Sequence, residues 1–82
     1  MRKAATPGPR ELAYRTLVGR NILDAATGQH MTIHALAGAA GVSRSHLMYV
    51  LRGTANCSVD WLVRVAGVLG VEPSTLLVGP AA

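Results

Sequence analysis

The sequence predicts an all-α fold, a compact bundle of five short helices, and three observations carry that expectation. Apolar residues recur three to five positions apart, the spacing of a buried helix face, and no stretch shows the strict alternation of a half-buried strand. Half of the 82 residues are apolar, yet 13 of them are alanine and only Tyr14, Tyr49 and Trp61 are aromatic. A core of Leu, Val and Ala suits closely packed helices better than a pleated surface. Third, most apolar runs are preceded by Ser, Thr or Pro and followed by Gly, the start and stop signals of short helices. A chain of 82 residues has room for one domain. Its core buries roughly 60–65% of the area the unfolded form exposes, which leaves little for a deep catalytic cleft.

Pro7, Gly8 and Pro9 break any helix before residue 10. Residues 1–10 are therefore expected as a flexible basic arm, 11–79 as the folded domain and 80–82 as a tail. The first helix starts at Glu11, uses Leu12, Leu17, Val18, Ile22, Ala25 and Ala26, and stops at Gly28. Thr32 is the N-cap of a two-turn second helix with Ile33, Leu36, Ala37 and Ala40, which Gly41 closes in a left-handed conformation. Ser43 caps the third helix, residues 44–52, ended by Gly53. Val42 and Leu47 have the spacing of a hydrophobic staple across that cap. Ser58 caps a fourth helix over 59–69, apolar on nearly every side and ended by Gly70, so it is the expected central core helix. Pro73 then starts a final short helical turn over 74–78.

The net charge of +4 points to a polyanion or an acidic surface as partner. Its placement is uneven: residues 1–20 hold Arg2, Lys3, Arg10, Arg15 and Arg20 against Glu11 alone, and no Asp or Glu lies between Ala25 and Val59. One cysteine, Cys57, excludes an intrachain disulfide. With no apolar run near the 20 residues of a membrane span and no signal-peptide h-region, the expected location is the cytoplasm, with no membrane partner.

Thr32 to Gly53 places two short helices around Ala40-Gly41-Val42-Ser43, a turn too tight for antiparallel packing. That is the layout of a helix-turn-helix, whose second helix enters the major groove of DNA. At about 100° per residue, Leu47, Val50 and Leu51 share the inner side of the third helix, while Arg44, Ser45, Met48, Tyr49 and Arg52 share the other. A cation, hydroxyls and apolar atoms on one face suit base edges: Arg for guanine O6 and N7, Ser for a donor or acceptor, Met or Tyr for a thymine methyl. Arg44 and Ser45, nearest the helix start, are the first candidates for base readout, with His46, Met48 and Tyr49 behind them. No nucleophile–base pair, carboxylate dyad or phosphate-binding glycine loop is present, so no enzyme is expected.

The motifs Thr32-Ile33-His34-Ala35-Leu36-Ala37, Gly41-Val42-Ser43-Arg44-Ser45, Leu47, Val50 and Arg52-Gly53, followed by residues 58–71, resemble the lambda-repressor/Cro (XRE-type) DNA-binding family. The resemblance runs over about residues 12–77, without gaps from Thr32 onward. It implies a sequence-specific transcriptional regulator, similar to small phage repressors or Cro-like proteins, that binds an inverted-repeat operator as a homodimer. It also implies DNA-backbone contacts from Thr32, His34 and Ser43 on one side and from Arg52, Thr54 and Asn56 on the other. Three departures stand out: Ile33 where many members carry a phosphate-bracing Gln, Leu51 where Glu is frequent, and Cys57 where Pro is frequent.

Arg2, Lys3 and Arg10 are expected to follow the DNA backbone or enter a minor groove. Val63, Val71, Leu76, Leu77 and Val78 form the candidate dimer surface, with closure of the core as the competing role. His30 and His34 have a helical spacing, but with only His46 and Cys57 to complete a ligand set no metal and no other cofactor or small-molecule ligand is expected. The alternative to a DNA reader is a helix-turn-helix module that binds protein, such as an antitoxin or adaptor, which the acid-free central stretch disfavours.

Overall fold

A computed structural model of the chain describes residues 6–79. Four α-helices and one 3-10 helix make up its regular structure: α1 Pro9–Gly28, α2 Ile33–Ala40, α3 Arg44–Leu51, α4 Val59–Leu69, and a closing 3-10 helix, Pro73–Leu77. The fifth helix of the sequence reading is thus a single tight turn, five residues long, that opens on Pro73. No strand occurs among the described residues. Arg2 and Lys3 and the tail 80–82 lie outside them.

α1 begins at Pro9, two residues upstream of the expected Glu11. Proline does not break the helix there because it takes the first helical position, where its missing N–H is needed by no carbonyl. The Gly8 N–H donates instead to Glu11 Oε1 at 2.8 Å, which holds an acid against the positive end of the helix. Arg10 therefore belongs to α1 and not to an arm, and its guanidinium lies 5.9 Å from the centre of the Tyr14 ring.

The other three caps form where the sequence places them. Thr32 Oγ1 accepts from Ala35 N–H at 3.1 Å, Ser43 Oγ from His46 N–H at 3.2 Å, and Ser58 Oγ from Trp61 N–H at 3.0 Å. Gly41 is left-handed at φ 67°, and the Val42 N–H bonds back to the Ala37 carbonyl at 3.0 Å. That paired closure turns the chain sharply out of α2 and into the cap of α3. α1 ends at Gly28 as expected, and a left-handed position follows two residues later, on His30 at φ 56°. The His30 and Met31 N–H groups still close the helix on the Thr27 and Ala26 carbonyls, so the hydrogen bonding is complete despite the wrong residue for the conformation.

The core draws on every element. Ile22, Leu36, Leu47 and Val65 are fully buried, and α4 alone contributes Trp61, Leu62, Val65, Ala66 and Leu69, as expected of a central helix. Each such aliphatic side chain stabilises the fold by about 1.5–3 kcal/mol relative to exposure. α2 packs on α3 and α4, while α1 packs on α3 and on the closing turn. The α1–α3 contact is backbone-close at Gly19: a Cβ there would lie 2.8 Å from the Leu51 carbonyl oxygen and against that of Val50. Asn21 Nδ2 donates to the carbonyls of Leu76 at 2.9 Å and Val78 at 3.0 Å, and Gln29 Nε2 to that of Leu69 at 2.6 Å, so α1 is tied both to the closing turn and to the end of α4.

Candidate nucleic-acid interface

α3 is oriented by its buried side. Leu47 and Val50 are sunk in the core and Leu51 packs against it, which leaves Arg44, Ser45, Tyr49 and Arg52 exposed together and Met48 half-buried between them. Tyr49 is 52% exposed, a large aromatic kept out of the core although the core holds only one other, Trp61. The face carries two cations and no acid. Arg44 opens the helix and Arg52 caps its end, so the two guanidinium groups bracket the face along about two turns.

His46 departs from this group. Its half-buried ring turns from the outer face toward the loop that follows α3: Nε2 lies 2.9 Å from the Asn56 carbonyl oxygen, and the ring meets Trp61 edge-on at 5.3 Å between centroids. A carbonyl only accepts, so Nε2 carries the proton. Nearness to the start of α3 made His46 a candidate reader, and its tertiary partners, Asn56 and Trp61, turn the ring away from the outer face.

The expected backbone-contact residues are all exposed: Thr32 and His34 at the start of α2, Ser43 at the cap of α3, and Arg52, Thr54 and Asn56 at the end of α3 and in the loop that follows. Because the hydroxyl oxygens of Thr32 and Ser43 already accept a backbone N–H, each keeps its own proton to donate outward. Thr54 differs, since its hydroxyl donates to the Tyr49 carbonyl at 3.1 Å and its amide to the same oxygen at 3.0 Å. Ile33, Leu51 and Cys57, the three departures noted in the sequence, all pack partly buried against the core.

The candidate dimer surface divides. Val63, Leu77 and Val78 are exposed, whereas Leu76 is 2% exposed and Val71 packs half-buried against the core. Leu76 is a core residue because α1 and α4 both press on the closing turn, and the two Asn21 bonds fix which of the adjacent leucines faces inward. Leu77 instead borders an apolar groove of about 380 Å³ with Tyr14, Val18, Val50 and Cys57. Burial there pushes the Cys57 thiol above its ordinary pKa. Among the described residues no group of three or more His, Cys, Asp or Glu is gathered to hold a metal ion, and no helix is long and apolar enough to cross a membrane.

The residues that sequence reasoning missed are structural. Gly19, isolated inside a helical run, signals close backbone approach; Asn21 and Gln29 carry no signal short of the tertiary contacts they make.

No family model matches the chain, and no curated protein does. Solved structures do. The chain is similar to the restriction-modification controller protein C.AhdI from Aeromonas hydrophila, at 28% identity and a TM-score of 0.75 over 78% of this chain and 97% of that one. It is similar to the N-terminal DNA binding domain of SinR from Bacillus subtilis, at 29% identity and a TM-score of 0.76 over 82% of this chain and 99% of that one. SinR, described as the master regulator for biofilm formation and solved in complex with DNA, is 33% identical over 73% of this chain and 97% of its own, with a TM-score of 0.71.

Proposed function

The chain belongs to the lambda-repressor/Cro (XRE-type) helix-turn-helix family, and from that premise we propose that it is a sequence-specific, double-stranded DNA-binding transcriptional regulator, a repressor or Cro-like protein, that reads the major groove with α3. The observation that carries this reading is the exposed, acid-free outer face of α3, with Arg44, Ser45, Tyr49 and Arg52 held together by burial of Leu47 and Val50 behind them. An acid on that face would repel the phosphates on either side of the groove. None lies between Ala25 and Val59.

In this reading Arg44 donates to guanine O6 and N7, Ser45 serves either hydrogen-bonding sense, and Met48 and Tyr49 meet thymine methyls. The outward hydroxyl protons of Thr32 and Ser43 and the first free N–H groups of α2 bind phosphate on one flank, with His34 beside them. Arg52 and Asn56 hold the other flank, while Thr54 shapes it, its hydroxyl proton being spent on Tyr49. Arg2 and Lys3 precede α1 and add sequence-independent attraction to the backbone. Two copies, meeting through Val63, Leu77 and Val78, bind an inverted repeat, and the place of action is the cytoplasm.

Binding selection from random duplex DNA at fixed, near-physiological salt tests the proposal. An enriched inverted repeat supports a dimeric regulator and a single enriched half-site a monomeric one. No enrichment overturns DNA reading and favours a protein-binding module.

A further inference from the structure

We infer that His46 is a positioning residue of the DNA-binding face, a strut that sets the post-α3 loop, and with it Arg52 and Asn56, at a fixed distance from the base-reading end of α3. The inference rests on the functional reading above and deepens it. Its ground is that one side chain from the first turn of α3 touches both the loop and α4. The Nε2–H donates to the Asn56 carbonyl at 2.9 Å, and the ring stands edge-on to Trp61, with 74° between the planes. Trp61 is 8% exposed and its Nε1–H has no hydrogen-bond partner, so the indole is held by packing, and the imidazole is part of that packing.

The loop runs from Arg52 to Ser58, between the end of α3 and the cap of α4. Its first half is tied back to α3 by the Thr54 amide and hydroxyl on the Tyr49 carbonyl. Those two bonds restrain only residues next to the helix they spring from. His46 supplies the tie at the far half, ten residues away in sequence, and joins it to the opposite end of α3. The same residue's amide is held by the Ser43 cap at 3.2 Å, so the strut starts from a fixed point. A loop so braced presents its phosphate-facing groups without further ordering when DNA arrives, and that reduces the entropy cost of binding.

The replacement series His46→Gln, His46→Asn and His46→Leu tests this. Glutamine places an N–H near the position of Nε2, whereas asparagine reaches only the position of Nδ1 and leucine has no donor. The first readout needs no DNA: the rate of tryptic cleavage after Arg52, at the start of the loop, in the free protein, with cleavage after Arg64 in α4 as the control for global unfolding. Losing one hydrogen bond speeds local opening, and with it cleavage, by roughly 2- to 12-fold. The Asn and Leu variants are expected to show that acceleration, and Gln to restore the native rate.

The second readout is binding to the selected duplex and to random duplex across a salt series. Asn and Leu are expected to weaken both alike, with a salt slope flattened by up to about 0.9, the share of one lost cationic phosphate contact. Gln is expected to behave as the native protein. Native cleavage rates after Arg52 in all three variants overturn the inference, as does a loss confined to one base pair, which would make His46 a direct reader. If the native protein binds no DNA, the functional reading fails by itself, and the cleavage series still decides the strut.

Discussion

Arg44 stands exposed at the first position of α3, where a side chain projects furthest into a groove that receives the helix end-on. Arg44→Ala is expected to lower affinity for the preferred duplex by about 1–3 kcal/mol and to relax the choice at one base pair, read by titration against single-base variants of the site. Unchanged affinity and unchanged preference would remove α3 from the readout. His30 is the residue whose backbone is least suited to its identity, at φ 56° outside glycine. His30→Gly is expected to raise stability by about 0.5–1 kcal/mol, measured by urea denaturation, because the left-handed strain disappears while both closing hydrogen bonds stay. At this scale the sequence was legible wherever a cap was local. Ser43, Ser58 and Thr32 act within three residues of themselves, and their roles follow from type and position. His46 was not legible, because its partners Asn56 and Trp61 come from beyond α3.

Among the elements, α1 and α3 meet backbone to backbone, and Gly19 is the reason they can. Gly19→Ala is expected to cost about 1–3 kcal/mol, since the new Cβ meets carbonyls of Val50 and Leu51 that cannot retreat without shifting α3. The same substitution at Gly67, inside α4 with nothing within 4 Å, is expected to gain up to about 1 kcal/mol through helix propensity. Opposite signs for the two variants in one denaturation series check the packing argument, and a loss at both positions would contradict it. The shift would also tilt the reading helix, so Gly19→Ala should weaken DNA binding in proportion. The length and order of α2, α3 and α4 were readable because each lies between a hydroxyl cap and a glycine. The start of α1 was not, since Pro9 is compatible with both a break and a first helical position until the Gly8–Glu11 bond is seen.

On the scale of the whole molecule, two adjacent leucines divide between core and surface. Leu76, 2% exposed, belongs to the core, and Leu76→Ala is expected to cost about 2–5 kcal/mol of stability at any protein concentration. Leu77, 44% exposed, is expected to tolerate Leu77→Ser within about 0.5 kcal/mol of folding stability while weakening self-association in sedimentation experiments across a concentration series. Equal stability losses in both variants would place Leu77 in the core as well. The sequence by itself determined the all-α class, the helix-turn-helix spacing and the acid-free stretch from 25 to 59, because periodicity, caps and charge are local properties of the chain. The tertiary structure alone decided which of two neighbouring leucines turns inward, where the His46 ring points and how near α1 comes to α3. Those outcomes depend on Asn21, Asn56, Trp61 and Gly19, groups distant in sequence that meet their partners only once the core is packed.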